Sequence, residues 1–168
     1  MKLVILCGSL EPGKDGVGDY SRRLARHCRE NGHSVIVVSL NDQWISANDV
    51  DVNEIRLTRN NSWPSRMNVL QCRLETFRPD WISVQFVPYA YHHRGFCSEL
   101  VFHLSSIHIQ VQWELMFHEL WLGLNSTDSL KFRLTGWMQR RAALRLHRAL
   151  RPSVTHTQST AYVSFLNR

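Results

Sequence analysis

The chain has 168 residues, a formal net charge of +6, 43% hydrophobic residues and 20% charged residues. This length suits one domain with a real core, residues 1–168, and the composition is that of an ordinary soluble protein. No apolar run approaches the roughly 20 residues that a membrane-spanning helix needs, and the first apolar run, 3–7, is too short for a signal peptide.

Strands and helices alternate along the chain, and each is predicted from its apolar periodicity and its end signals. The predicted strands are 3–8, 34–40, 53–58, 81–86, 111–117 and 153–157, and the predicted helices are 19–30, 64–77, 98–106 and 129–150, with a last helix starting at 159. Strands separated by helices pair in parallel. The sequence therefore predicts an α/β fold with a Rossmann-like, doubly wound, mainly parallel sheet and helices on both faces.

The ligands of such sheets bind beyond the carboxyl ends of the strands, near the point where the strand order switches. The predicted loops at that edge are 9–18, 87–96 and 118–127. These loops are also the most unusual stretches of the sequence, so we expect the functional site to lie among them.

The first loop fits neither of the common nucleotide-binding glycine motifs. Gly8 to Lys14 has the spacing of a P-loop, but Asp15 stands where that motif needs a hydroxyl group for magnesium. The dinucleotide motif G-x-G-x-x-G is also unmet, because Ser21 occupies the position of the third glycine. This mismatch argues against a Rossmann-type dehydrogenase.

Gly16, Val17 and Gly18 open a predicted helix directly after that loop. Glycines let the backbone approach a ligand, and the free N–H groups and dipole of a helix N-terminus favour an anionic group. The segment therefore predicts a site for a diphosphate or a phosphorylated acceptor. A glycine turn without a ligand is the alternative interpretation.

The second loop is rich in aromatic rings and hydrogen-bonding groups, including Gln85, Phe86, Tyr89, Tyr91 and His92. Sugars bind to such surfaces by stacking their apolar faces on rings and bonding their hydroxyl groups to polar side chains. The loop therefore indicates a sugar-binding site, and a packed lid with exposed histidines is the alternative.

The third loop begins with His118 and Glu119 at the end of a predicted strand. A histidine there can bond a substrate hydroxyl group or act as a base, although a structural role is the alternative. The zinc motif H-E-x-x-H is unmet, because its second histidine is replaced by Leu122. The nine histidines have no ligand spacing, so we expect no metal site.

The end of the chain is strongly basic, with no acidic residue after Asp128. Segment 131–151 predicts a helix with arginines spread over much of its surface. We expect its apolar side chains to face inward, namely Leu134, Trp137, Met138 and Leu144. A surface of one charge attracts polyanions, so we expect peripheral contact with anionic membrane. Nucleic acid is a less favoured partner, because no recognition motif is present.

The four cysteines, Cys7, Cys28, Cys72 and Cys97, form no CxxC pair. This pattern predicts reduced, partly buried thiols rather than disulfides. We therefore expect a cytoplasmic protein, which the basic helix would hold at the inner face of the membrane.

Three groups of segments together resemble the opening of the family 4 glycosyltransferases, over essentially the whole chain. They are 15–24 (Asp-Gly-Val-Gly-Asp-Tyr-Ser-Arg-Arg-Leu) with 31–35 (Asn-Gly-His-Ser-Val), 85–89 (Gln-Phe-Val-Pro-Tyr) and 116–121 (Met-Phe-His-Glu-Leu-Trp). The resemblance implies one half of a GT-B fold, in which two Rossmann-like domains face each other across a cleft. The N-terminal domain holds a sugar, glycan or lipid-linked acceptor, and the C-terminal domain holds a UDP- or GDP-sugar donor.

The same resemblance implies roles for individual residues. Gly16, Val17 and Gly18 are expected to line the donor diphosphate, and His118 is expected to contact the donor sugar. The transfer is retaining and needs neither a metal nor another cofactor. The acceptor pocket is expected to consist of Asp19, Tyr20, Gln85, Phe86, Tyr89, Tyr91, His92 and Glu119.

Two departures from the family pattern affect these expectations. Asp15 stands where the family has a glycine, and its negative charge lies near the expected diphosphate. The donor domain with its paired glutamates is absent from the 168 residues, so we expect the chain to be inactive alone. The alternative function is a basic α/β module that docks on anionic membrane or nucleic acid through helix 131–151.

Overall fold

The computed structural model describes residues 1–123 and 129–166, so the part of the third predicted loop at 124–127 lies outside the described residues. The strands are β1 Lys2–Cys7, β2 Ser34–Asp42, β3 Asp49–Val50, β4 Glu54–Thr58, β5 Trp81–Phe86, β6 Gln112–Phe117 and β7 Val154–Thr157. The helices are α1 Gly16–Glu30, α2 Trp63–Phe77, α3 Pro88–Tyr91, α4 Ser98–Ser105, α5 Leu130–Leu150 and α6 Thr160–Leu166. None of the helices in the described part of the chain combines the length and apolarity that crossing a membrane requires.

The strands form one sheet in the order β3-β4-β2-β1-β5-β6-β7. All neighbouring pairs are parallel except β3 with β4. From β1 the chain first builds the sheet outward through β2 and β4, and then returns to the other side of β1 with β5. The strand order therefore switches between β1 and β5, and their carboxyl ends flank the crevice where such sheets bind ligands.

Alternating side chains of the central strands enter two separate cores. On β1, Leu3 and Ile5 pack in the smaller core under α1, whereas Val4 and Leu6 pack in the larger core. The larger core receives the buried side chains of α2, α4 and α5. Because both faces of the sheet are covered, its parallel strands read as continuous apolar runs. The predicted α/β fold with helices on both faces is confirmed.

Two elements were not predicted. Strand β3 has only two residues and pairs antiparallel with β4, so its sequence carries no periodic signal. Helix α3 occupies part of the second loop, and Pro88 provides its first residue. Helix α1 begins at Gly16, three residues earlier than predicted, because the Asp15 side chain caps it.

The predicted orientation of α5 is wrong. Leu134 is 63% exposed, Trp137 and Met138 are also exposed, and Leu144 is half-buried. The inward face instead combines three small residues with a glutamine and two leucines, and its buried members are Gly136, Gln139, Ala142, Ala143, Leu146 and Leu150. A β-carbon on Gly136 would lie 1.8 Å from the Leu122 carbonyl oxygen. The helix therefore approaches its neighbours closely through small residues and leaves its large apolar residues outside.

The cysteines follow the prediction for thiols. All four are free, and Cys7 and Cys97 are buried. Burial raises the pKa of the Cys97 thiol to about 12 and also raises the pKa of Cys7. Both buried thiols are therefore protonated at neutral pH and act as small apolar side chains.

The orientation of α5 can be tested with two equivalent substitutions. Leu146 is fully buried, so Leu146→Ala is expected to lower the free energy of unfolding by about 2–5 kcal/mol through the cavity it leaves. The matched control Leu134→Ala, on the exposed face, is expected to change it by less than about 0.5 kcal/mol. Urea denaturation measures both values, and equal losses would contradict the orientation.

Candidate functional site

A cavity of 680 Å³ opens at the carboxyl ends of the central strands. Three predicted acceptor residues, Tyr89, Tyr91 and His92, line it. The remaining wall includes side chains that the sequence did not single out, among them Ser9, Asn41, Arg59, Ser62, Trp63, Arg66 and Glu99. The cavity thus combines aromatic faces with hydrogen-bonding groups, as predicted for this edge of the sheet.

Helix α3 is held over the end of β1 by a close backbone contact. A β-carbon on Gly8 would lie 2.4 Å from the β-carbon of Ala90, so only glycine lets α3 pack this near. The Asn41 amide at the end of β2 donates a hydrogen bond of 2.9 Å to the Ala90 carbonyl oxygen. These two contacts fix the position of the aromatic loop relative to the sheet.

Gln139 on α5 joins the second and third loops. It is buried, and its amide nitrogen donates 3.0 Å hydrogen bonds to the Tyr89 hydroxyl oxygen and to the Arg94 carbonyl oxygen. Its amide oxygen accepts a 3.0 Å hydrogen bond from the Leu122 N–H group. Gln139 therefore orients the Tyr89 ring. No motif of the sequence pointed to it.

Tyr91 and Phe86 belong mainly to the core. Both are buried, and their rings stack with centroids 6.2 Å apart. The Tyr91 hydroxyl group donates to the Gln85 carbonyl oxygen at 3.3 Å. Burial raises the pKa of Tyr91 well above 10.0, so its phenol stays neutral. Phe86 and Gln85 do not line the cavity, whereas the edge of Tyr91 does.

His92 ends α3 and lies in the cavity wall. Its Nδ1 atom accepts hydrogen bonds from the Arg94 N–H group at 3.1 Å and from the Phe96 N–H group at 3.3 Å. Burial and the neighbouring His93 lower the pKa of His92. The ring is therefore neutral at physiological pH, and only Nε2 is left to donate to a ligand.

His118 lies outside the cavity lining and is 6% exposed. Its Nε2 is 2.7 Å from the Gln85 Oε1 atom, and its Nδ1 is 2.7 Å from the Gln158 Nε2 atom. An amide nitrogen only donates, so Nδ1 accepts and Nε2 carries the proton. The Tyr20 ring packs edge-on against the imidazole, with centroids 5.0 Å apart.

The N-terminus of α1 is already occupied by an anion. The Asp15 Oδ1 atom accepts 3.0 Å hydrogen bonds from the N–H groups of Val17 and Gly18. The expectation that these two N–H groups are free is therefore corrected. A β-carbon on Gly18 would lie 2.3 Å from the Ser9 carbonyl oxygen, which is a structural reason for that glycine, whereas Gly16 faces open space.

Three other predicted residues do not line the cavity, namely Asp19, Tyr20 and Glu119. The Asp19 carboxylate accepts a hydrogen bond of 3.2 Å from the Gly13 N–H group and so holds the first loop. Tyr20 is 41% exposed beside His118, and Glu119 is exposed. Tyr20 and Glu119 are therefore accessible to a ligand that extends beyond the cavity.

The first loop is anchored by a buried ion pair that the sequence did not reveal. Asp42 is fully buried, and it accepts hydrogen bonds from Arg56 Nε at 2.9 Å and from the Leu10 N–H group at 3.1 Å. Burial by itself would raise the pKa of Asp42, but hydrogen bonds from Arg56, Leu10 and Trp44 outweigh burial and lower it. Arg56 also binds Glu11, at 2.6 Å.

Metal ligation has no candidate group in the part of the chain that the structure describes. Among residues 1–123 and 129–166, no three histidine, cysteine, aspartate or glutamate side chains are arranged to hold a metal ion.

Comparison with known proteins identifies a fold. No protein-family model matches the chain, and no curated protein sequence matches it. An α-glucosyltransferase in complex with UDP and a 13-mer DNA containing an HMU base is similar, with a TM-score of 0.56 and 13% identity over 94% of this chain and 37% of that chain. The α-glucosyltransferase in complex with UDP and a 13-mer DNA containing a central A:G mismatch is also similar, with a TM-score of 0.56 and 15% identity over 95% of this chain and 37% of that chain.

A proposed NADH-flavin reductase from Streptococcus pneumoniae TIGR4 is similar as well, with a TM-score of 0.52 and 11% identity over 94% of this chain and 71% of that chain. The chain has the Rossmann-like fold. It spans little more than a third of the α-glucosyltransferase chain. Because glycosyltransferases and redox enzymes share this fold, the function has to be argued from the site.

The neutral state of His118 predicts that the stability of the folded chain depends on pH. Burial lowers the pKa of His118 below 6.5, although the charges of Glu114 and Asp15 act in the opposite direction. Between the two pKa values the unfolded chain binds a proton that the folded chain does not. The free energy of unfolding is therefore highest, with respect to His118, above pH 6.5. It decreases progressively as the pH falls through 6.5 toward the pKa of His118 in the folded chain.

The measurement is an NMR titration of the imidazole C–H signals, in which the His118 signal is assigned by its loss in His118→Gln. We expect a midpoint below 6.5. A midpoint at or above that value would contradict a buried imidazole that is hydrogen-bonded at both ring nitrogens.

Proposed function

We propose that the chain is the acceptor-side half of a GT-B glycosyltransferase, which transfers a sugar from a UDP- or GDP-sugar to a sugar, glycan or lipid-linked acceptor. The 680 Å³ cavity carries the proposal, because it combines aromatic faces and hydrogen-bonding groups at the switch point of the sheet. The fold shared with the α-glucosyltransferase is consistent with it. The motifs at 15–24, 85–89 and 116–121 distinguish it from a redox enzyme.

The acceptor is assigned to the cavity wall formed by Tyr89 and His92. Tyr89 is 44% exposed, and its ring is oriented by Gln139, so it offers a fixed face for stacking on a sugar. His92 offers a neutral Nε2–H group for a hydroxyl oxygen. A fixed ring with a nearby donor loses little conformational entropy when it binds a sugar.

The donor is assigned largely to a second domain. Asp15 satisfies two N–H groups of α1 and brings a negative charge to the place where the diphosphate was expected. Binding a diphosphate at Gly16, Val17 and Gly18 would require the Asp15 cap to open. We therefore propose that the isolated chain binds nucleotide-sugar weakly and does not transfer sugar alone.

His118 is proposed to contact the donor sugar. In the transfer, the bond from the anomeric carbon to the diphosphate oxygen breaks, a bond forms from that carbon to an acceptor hydroxyl oxygen, and the proton of this hydroxyl group passes to the departing diphosphate. Gln158 is exposed, so it can give up its hydrogen bond to Nδ1 of His118. Nδ1 would then accept a hydrogen bond from a sugar hydroxyl group, while Gln85 keeps the ring in place.

The acceptor site can be tested by titrating the full 168-residue chain with glucose, galactose, mannose and maltose. We expect chemical-shift changes confined to the cavity, with Tyr89→Ala weakening saccharide binding by about tenfold through the loss of stacking. Phe102→Ala, an exposed aromatic residue outside the cavity, is the control and should bind like the wild type. Unaltered spectra with every saccharide would count against the proposal.

A second proposal concerns peripheral membrane contact through the outer face of α5 and its neighbour α4. We define the α4–α5 surface as Phe102, Leu130, Leu134, Trp137, Met138, Arg141 and Arg145. Its large apolar members are exposed, and a groove of 440 Å³ lies between Phe102 and Trp137. Exposed apolar side chains rimmed by arginine are typical of surfaces that insert into the interface of a lipid bilayer.

Charge selects an anionic lipid surface as the occupant. The α5 arginines Arg133, Arg140, Arg141, Arg145 and Arg148 make no ion pair with any described residue. Arg141 lies over the Trp137 ring at 4.7 Å, so charge and apolar surface are adjacent. Each arginine near an anionic bilayer contributes about 1 kcal/mol to the free energy of membrane binding. Several arginines together therefore make the attachment stable.

Co-sedimentation with phosphatidylcholine vesicles, with and without phosphatidylglycerol, tests this surface. We expect binding only to the anionic vesicles, a decrease with salt, and a loss of about tenfold in Trp137→Ala. The control Val52→Ala, an exposed apolar residue outside the surface, should bind like the wild type. Binding that is independent of lipid charge and salt would exclude this role.

A further inference from the structure

The cavity has one wall that the motifs and the proposed acceptor contacts leave without a role. It is formed by the first turn of α2 and the residue before it, through Ser62, Trp63 and Arg66. Arg66 is only 4% exposed, which is unusual for a charged side chain. Its surroundings indicate what this wall binds.

Arg66 is buried without an acidic partner. Its Nη1 atom donates hydrogen bonds to the Leu40 carbonyl oxygen at 2.5 Å and to the Asn41 Oδ1 atom at 2.9 Å. Its guanidinium carbon lies 4.0 Å from the centroid of the Trp63 ring. No ion pair within the described residues includes Arg66. A buried charge whose hydrogen-bond partners are all neutral is costly to the folded chain.

The other edge of the guanidinium group is unused. Nε is buried without a hydrogen-bond partner, and Nη2 makes no hydrogen bond with any described residue. Burial lowers the pKa of Arg66, and only the charge of Glu99 opposes this effect. Elsewhere in the chain, Arg22 uses the same edge to bind both carboxylate oxygens of Glu54, at 2.9 and 2.5 Å. The Nε–Nη2 edge of Arg66 is therefore an unpaired fork of the kind that binds two oxygen atoms of one ligand.

A second feature gives the same wall a positive potential. Ser62 caps the 15-residue helix α2 by accepting a hydrogen bond from the Ser65 N–H group, Pro64 has no N–H group, and the first turn has no acidic residue. The positive end of the α2 dipole therefore meets the cavity beside Arg66. Arg59 also lines the cavity, and its exposed guanidinium group is bonded to a neutral partner, Gln43. The carboxylates of the lining, Asp15 and Glu99, form no ion pair with Arg66.

We propose that the α2 wall of the cavity binds a phosphoryl group, through the Nε–Nη2 edge of Arg66 and the N-terminal end of α2. This inference rests on the proposed function and deepens it, because it assigns a phosphate group to the acceptor. The phosphate belongs either to a soluble sugar phosphate or to a lipid headgroup. In both cases it supplies the negative charge that Arg66 lacks, while Tyr89 and His92 remain available for the sugar.

The test uses the full chain and measures thermal unfolding and the arginine Nε–H signals by NMR. Inorganic phosphate is expected to raise the Tm of the wild type and to shift the Arg66 Nε–H signal. Arg66→Lys keeps the charge and loses the forked edge, so phosphate affinity is expected to fall by about tenfold or more. Arg26→Lys, an exposed arginine on α1, is the matched control and should respond like the wild type.

Two further arms separate the sources of the phosphate and protect the test against misfolding. Glucose 6-phosphate and a short-chain phosphatidylglycerol below its micelle concentration represent the soluble and lipid sources, and tighter binding of either one supports the site and identifies the source. Arg66→Met removes the buried charge and is expected to leave the free chain folded while abolishing the response to phosphate. An equal Tm increase in Arg66→Met, or none in the wild type, overturns the inference.

These results are separable from a failure of the proposed function. If the chain binds phosphate through Arg66 but binds no saccharide, the anion site is supported and the glycosyltransferase proposal is contradicted. A chain that binds neutral saccharides but not phosphate keeps the proposed function and loses this inference. Acetate binding as tight as phosphate binding would overturn the assignment to a phosphoryl group.

Discussion

The loop that enters the cavity from β1 depends on one buried carboxylate. Asp42 has no exposed surface, and it stays charged because Arg56 and the Leu10 N–H group bond it from two directions. A buried pair of this kind contributes little net stability, but removing one partner leaves an uncompensated charge. The Asp42–Arg56 pair therefore matters for position: it holds together the end of β2, a residue of β4 and the first loop. These three parts form one side of the crevice between β1 and β5.

The other side of the crevice is organised by neutral amides. Gln139 reaches from α5 to Tyr89, Arg94 and Leu122, while Asn41 holds α3 over the end of β1. Buried polar groups that are fully bonded specify a single arrangement, because every alternative leaves a donor or acceptor unpaired. The ligand-facing loops are therefore held by a rigid network. The groups of the cavity that it leaves available to a ligand include the Tyr89 face, the His92 Nε2 atom and the α2 wall.

Positive charge is distributed in two different ways, and the difference has functional meaning. On α5 the arginines are exposed beside apolar side chains, which suits a broad anionic surface such as a bilayer. At Arg66 a single guanidinium is enclosed beside a helix N-terminus, which suits one small anion. At α1 the helix N-terminus is capped by the negatively charged Asp15, whereas at α2 it is capped by the neutral Ser62. A phosphate is therefore better accommodated at α2 than at α1, where the glycines first suggested it.

The sequence by itself determined the alternation of strands and helices, the parallel sheet, and the edge at which the loops meet, because periodicity and parallel pairing depend on local pattern. It also pointed to Tyr89, Tyr91 and His92, which follow β5 and line the cavity. Tertiary structure decided the rest. Helix α5 packs closely through Gly136 and Ala143, so Trp137 lies on its outer face. The roles of Asp42, Gln139 and Arg66 depend on partners that are distant in the chain. A hydrogen bond or an uncompensated charge is a relation between residues far apart in the chain, so no local pattern of the sequence contains it.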